Sequence, residues 1–101
     1  MPTTDTNTRV VMAPEILGLD TRSSFRDEAV GQLDEMAEEA TLVVDFAGTR
    51  RIDSAGLGAL MLVQRKAAER QQRIVLRNLR DEFRFLLVLT KLDDLFEIEA
   101  R

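Results

Sequence analysis

Thr41-Leu42-Val43-Val44-Asp45-Phe46 is a short, β-rich run whose apolar side chains stand next to one another rather than on alternate positions. A strand patterned in this way is covered on both sides, which predicts a central parallel strand with helices on its two faces. Gly48 and Thr49 then turn the chain.

Upstream of that strand the apolar period lengthens. Phe25, Ala29, Leu33, Met36 and Ala37 recur at helical spacing from Thr21 onward, with Ser23 or Ser24 able to cap and Asp27 and Glu28 placed favourably in the first turn. Earlier still, Arg9 to Met12 predicts a short strand that Pro14 interrupts and that Ile16 to Leu19 resumes. Downstream, Ala55 to Gln71 reads as a second helix, Arg73 to Arg77 as a second buried strand and Asp81 to Thr90 as a third helix. Phe83, Leu86, Leu87 and Thr90 share one face of that helix, and Leu92, Leu95, Phe96 and Ile98 lead into a short terminal strand.

Parallel neighbours need crossover connections, so this alternation implies an α/β domain with a mostly parallel central sheet of about four strands and helices packed on it. The domain is expected over residues 9–101. The polar, aperiodic residues 1–8 read as a flexible tail.

Composition narrows the chemistry. The chain has 101 residues, 45% of them hydrophobic, which is enough for one core. It has no Cys and no His, which removes disulfides, thiol nucleophiles, imidazole acid–base chemistry and the usual transition-metal ligands. A net charge of −4 disfavours nucleic acid and anionic membrane surfaces as partners. The longest apolar run, Leu86 to Leu89, is far too short to span a bilayer and no signal segment opens the chain, so a cytoplasmic location without membrane insertion is the expectation.

The stretch richest in information is Ile52-Asp53-Ser54-Ala55-Gly56-Leu57-Gly58, between the central strand and the second helix. Each glycine in a first helical turn gives up roughly 1 kcal/mol of helix propensity relative to Ala, and close approach of another backbone is one reason to accept that. Ser54 can cap the helix, and the free N–H groups beside it form an anion site on which a phosphate at Ser54 would be tolerated. On local grounds alone the plain N-cap reading suffices. Gly56, Leu60, Val63 and Ala67 form one stripe, assigned to the core, whereas Leu57, Met61 and Ala68 form another. Leu57 and Met61 are therefore expected to be partly exposed beside Ser54 as a docking surface, the alternative being a wide core stripe that buries both. Asp45 and Asp53 as a metal- or proton-sharing pair is a further reading, against a structural role for Asp45 as a backbone hydrogen-bond acceptor. Arg50 and Arg51 are weaker candidates for contact with a phosphate or a partner's acidic groups.

Leu19-Asp20, Val43-Val44-Asp45-Phe46, Asp53-Ser54-Ala55-Gly56-Leu57-Gly58 and Leu92-Asp93-Asp94-Leu95-Phe96 together resemble a STAS domain, from about Val10 to the end. The Asp-Ser-x-Gly-Leu-Gly motif resembles the phosphorylation loop of bacterial anti-sigma factor antagonists, and the resemblance puts the phosphoacceptor at Ser54. It implies a non-enzymatic, cofactor-free partner switch. The unmodified protein captures an anti-sigma factor that is also a serine kinase, phosphorylation of Ser54 releases it, and a serine phosphatase resets the cycle. It also implies a partner surface from Asp20 and Thr21, Asp53, Ala55 and Gly56, and Leu57 and Met61. A STAS docking subunit regulating a membrane transporter ATPase, without a phosphate switch, is the alternative.

Two departures from that pattern stand out. The N-terminal strand region is shortened around Pro14, which implies an exposed sheet edge or a homodimer that covers it. Lys91 stands where the family has Gly, and the expected Gly-x-Leu-Asp turn is Leu17-Gly18-Leu19-Asp20.

Overall fold

The computed structural model describes residues 7–100. In chain order the elements are β1 (Thr8–Met12), β2 (Ile16–Leu17), α1 (Arg22–Glu35), β3 (Thr41–Asp45), β4 (Arg51–Ile52), α2 (Ser54–Ala68), β5 (Arg73–Arg77), α3 (Asp81–Leu89), a 3-10 turn (Asp93–Leu95) and β6 (Glu97–Ile98). β1, β3, β5 and β6 form one four-stranded sheet in that spatial order, every pairing parallel. Val10, Val43, Val75 and Glu97 lie in register across it. Most of the expected tail lies outside the described residues, and the first strand already begins at Thr8.

The helices pack on one face of this sheet, not two. A single core joins Phe25, Ala29 and Leu33 of α1, Leu60, Val63 and Ala67 of α2, and Phe83 and Leu87 of α3 to Val11, Leu42, Val44, Ile74 and Leu76 of the strands. The strand residues between those, Val10, Val43 and Val75, stand outside that core, and side chains alternate along a strand. Val43 is nevertheless buried, because Val10 and Val75 of the neighbouring strands flank it, while Val10 and Met12 at the sheet edge stay exposed. Ion pairs of Arg73 with Glu97 and of Arg77 with Asp45 and Glu99 run across the rest of this open face. Each large apolar side chain buried on the helical face, Leu42, Val44 and Phe46 among them, contributes roughly 1.5–3 kcal/mol relative to exposure.

Four further expectations are corrected. Ile16 and Leu17 do not rejoin the strand before them. Ala13 N–H makes the last bond to the main sheet, on Asp45 O at 2.9 Å, Pro14 has no N–H to give, and β2 pairs instead with β4 in a separate two-stranded ribbon. The N-cap of α1 is Thr21, so Ser23 and Ser24 are already inside the helix, exposed and not capping. That helix stops at Glu35, and its last carbonyls are closed from outside: Arg70 donates to Leu33 O and Met36 O at 3.0 and 2.9 Å, and the buried Gln72 amide donates to Leu33 O and Ala37 O at 3.0 and 3.1 Å. The helix after the central strand runs from Ser54 and ends at Ala68, short of Gln71, which takes a left-handed φ of 59° as the chain turns into β5.

Candidate functional site

The site is built where the β2–β4 ribbon ends and α2 begins. Asp53 is extended, with φ −107° and ψ −177°, and its carboxylate, not the Ser54 hydroxyl, caps the helix by accepting the Gly56 N–H at 3.0 Å. This corrects the assignment of the cap to Ser54. Both residue types cap well, and the choice between them is made by Leu17, whose carbonyl accepts the Asp53 N–H at 3.1 Å and holds that residue in the extended position. Ser54 is thus the first residue of the helix, exposed, with a hydroxyl that the fold does not use.

Gly56 is buried because the end of β2 lies across it: a β-carbon there would stand 2.0 Å from the Leu17 carbonyl oxygen. Backbone approach therefore accounts for one of the two glycines in the motif. Gly58 has nothing within 4 Å of the same point and opens onto solvent.

Asp53 ties this helix start to the loop before α1. Its second carboxylate oxygen accepts the Leu19 N–H at 3.3 Å. Hydrogen bonding from the Gly56 N–H, above all, holds the carboxyl below its ordinary value, with the Leu19 and Ala55 N–H groups and the charge of Arg22 acting the same way and desolvation opposing them. Thr21 organises the loop rather than projecting from it: its hydroxyl donates to Ile16 O at 2.6 Å and accepts the Gly18 N–H at 3.0 Å.

The sequence-predicted residues therefore divide. Asp20, Thr21 and Asp53 border one cavity of about 410 Å³ together with Ile16, Leu19 and Arg51. Leu57 is half-buried against the core and Met61, one turn on, is 38% exposed, so the second stripe of α2 is shared between core and surface. Ala55 is half-buried on the side facing α1, and Gly56 serves packing beneath the surface. Arg50 pairs with Glu15 at 3.2 Å. Asp45 does not converge with Asp53. Its carboxylate accepts the Ala47 N–H at 2.9 Å and the Asn78 amide at 3.0 Å, the structural role expected of it. Among the described residues no three His, Cys, Asp or Glu side chains gather as metal ligands would.

Four contributors lie outside the residues that the sequence singles out. Leu19, 64% exposed, and Ile16, 45% exposed, add apolar surface next to Asp53; they were read as strand, whereas the strand ends at Leu17 and Gly18 bends Leu19 outward. Arg22 and Arg26 line a second cavity of about 360 Å³ that also borders Ser54, Ala55 and Gly58. Their spacing of four on a predicted helix is the signal that could have found them.

Residues 3–97 match the family described as "Mlab, STAS domain". No curated protein matches the sequence. Among solved structures, a candidate anti-sigma factor antagonist from Thermotoga maritima superposes with a TM-score of 0.78 at 18% identity, covering 99% of this chain and 84% of that one. The anti-sigma factor antagonist SpoIIAA in its unphosphorylated form gives 0.73 at 15% identity, covering 99% and 86%. An anti-sigma factor antagonist (STAS) domain protein from Planctomyces limnophilus gives 0.80 at 14% identity, covering 98% and 87%.

Proposed function

Because the chain belongs to the STAS domain family, we propose that it is an anti-sigma factor antagonist whose partner is an anti-sigma factor with serine-kinase activity, released when Ser54 is phosphorylated. The observation that carries this reading is the position of Ser54. It is exposed at the first position of α2, its hydroxyl is unused, and the neighbouring Asp53 relieves it of capping. Modification there leaves the cap intact.

In the transfer, the bond from Ser54 Oγ to the γ-phosphorus of ATP forms as the bond from that phosphorus to the β,γ-bridging oxygen breaks. ADP leaves, and the hydroxyl proton passes to a base on the kinase. The product carries about −1.5 to −2 charge next to Asp53, whose cavity Ile16 and Leu19 also line, and there it opposes a partner contact by desolvation and repulsion. The helix start favours the new charge, so the switch acts on the interface and not on the fold. A serine phosphatase resets the cycle: water takes the phosphoryl group as inorganic phosphate and the Ser54 hydroxyl is restored.

A second reading is a docking subunit of a transporter ATPase that uses the same surface without covalent control. It is favoured by the apolar patch of Ile16, Leu19 and Met61, which stands ready with no modification. Incubation of the purified protein with ATP and the kinase encoded nearest to it, followed by mass spectrometry of wild type and Ser54→Ala, separates the two. Phosphate on Ser54 with loss of the complex is the expected result; a stable complex that never acquires phosphate overturns the switch and favours the docking subunit.

A further inference from the structure

We propose that Arg22 and Arg26 of α1 form a receiver for phosphate on Ser54, drawing the phosphoserine into the groove between α1 and α2. The inference rests on reading Ser54 as the phosphoacceptor and concerns where the phosphate goes once attached. The two arginines sit four residues apart, hence on one face of α1, and line with Ser54 the same cavity of about 360 Å³. Ala55, Gly58 and Ala59 form its floor on α2, small residues that leave room for a tetrahedral dianion. No β-carbon at Gly58 would meet any atom within 4 Å, so the space is open as well as lined.

The charges around Ser54 favour this outcome. Among the described residues the Arg22 guanidinium makes no hydrogen bond or ion pair and acts through its charge on Asp53, while its backbone N–H is bound to Gly18 O. Among the described residues the Arg26 guanidinium is held only by the adjacent Asp27, at 3.2 Å on the surface, a contact a phosphate readily displaces. The negative groups nearby are Asp27, paired with Arg26, Asp53, engaged with N–H groups at the helix cap, and Asp20, which borders the neighbouring cavity with Arg51. A guanidinium offers a planar fork that matches phosphate oxygens, and two of them beside one residue exceed what a solvated helix face requires. On the other side of Ser54 the helix presents Leu57 and Met61, which carry no cation. The phosphate is therefore pulled to the arginine side.

The test does not need the kinase. Phosphoserine is incorporated at position 54 during translation, and its second ionisation is followed by phosphorus NMR across pH 4 to 8 in wild type, in Arg22→Gln/Arg26→Gln and in Arg22→Lys/Arg26→Lys. Phosphoserine in an unstructured peptide, titrating near pH 6, is the reference. The receiver predicts a wild-type midpoint about half a unit or more below the peptide, moved back toward the peptide value by the glutamine pair, with the helix start alone keeping a smaller depression, and largely kept by the lysine pair. A wild-type midpoint equal to the peptide's, or one unmoved by the glutamine pair, overturns the receiver. That failure is distinct from failure of the phosphoacceptor reading, which the kinase assay decides separately. Far-UV circular dichroism of each variant confirms that the fold is retained.

Discussion

The carbonyl oxygen of Leu17 stands 2.0 Å from the point where a β-carbon on Gly56 would be placed. The same carbonyl accepts the Asp53 N–H, so one atom at the end of β2 sets both the cap and the seat of α2. Gly56→Ala must push strand and helix apart, and overpacking against backbone costs about 3 kcal/mol. Gly58→Ala, at a helical position with open space, is expected to stabilise by up to about 1 kcal/mol. Urea denaturation of the two variants checks both; equal behaviour would mean that the contact at Leu17 is not what the glycine serves.

Asp53 makes stability depend on acid. Its carboxyl is held below the ordinary value in the folded chain, so the ionised form is bound more tightly by the fold than by the unfolded state. The stabilisation is fully present above the unfolded carboxylate value of about 3.9 and fades as pH falls through the lower folded one. Asp53→Asn keeps a capping oxygen but has no charge to titrate. Wild type is expected to exceed this variant in stability at pH 7, with the gap closing as the buffer is taken from pH 5 down to 2. A gap that persists unchanged at pH 2 would show that the cap works through shape and not charge.

Lys91 closes α3 in a left-handed conformation, φ 60°. The Leu92 N–H reaches Leu87 O at 2.8 Å and the Lys91 N–H reaches Val88 O at 3.1 Å, the paired bonds of a Schellman ending that ordinarily has glycine at this place. Lys91→Gly therefore relieves backbone strain and is expected to raise stability by about 0.5–1 kcal/mol, with the midpoint of thermal unfolding rising accordingly. A loss would point to a contact of the lysine stem that outweighs the strain.

These residues also show what was legible beforehand. The run Thr41 to Phe46 announces a buried strand, and Val43 shows why that pattern stops short of its surroundings: burial in a sheet centre arises from flanking strands as well as from helices. Val43 is shielded by Val10 and Val75, at 4% exposure with no helix over it, and adjacency of apolar residues carries no sign of which cover is used. Of the two glycines of the motif, Gly56 marks a close approach and Gly58 does not, and the partner of that approach, Leu17, lies in a strand nearly forty residues earlier in the chain. Which of Asp53 and Ser54 caps α2 depends on that same remote carbonyl, and no local pattern reports it. Lys91 marked a departure in sequence, yet the turn itself is kept, because the two bonds to Leu87 and Val88 outweigh the strain of one lysine.

Partner binding through the Ser54 surface can be separated from binding through the open sheet face. Leu19 lies beside the helix start and Met61 two turns along α2; they are 64% and 38% exposed, while Val10, 46% exposed, stands on the face without helices. An aspartate at Leu19 or Met61 adds charge without filling core space, so stability should change little, whereas Val10→Asp also uncovers part of Val43 and is expected to cost some stability, read by thermal unfolding before binding is compared. If the kinase partner docks around Ser54, Leu19→Asp and Met61→Asp each weaken the complex at least tenfold, about 1.4 kcal/mol, because a desolvated charge then faces an apolar contact. Val10→Asp leaves affinity within about twofold, since it touches neither the loop of Asp20 nor α2. Isothermal titration of the three variants against the same partner reads this directly. The reverse ranking, with Val10→Asp the damaging change, would move the docking surface to the open sheet and would leave phosphorylation of Ser54 with no contact to break.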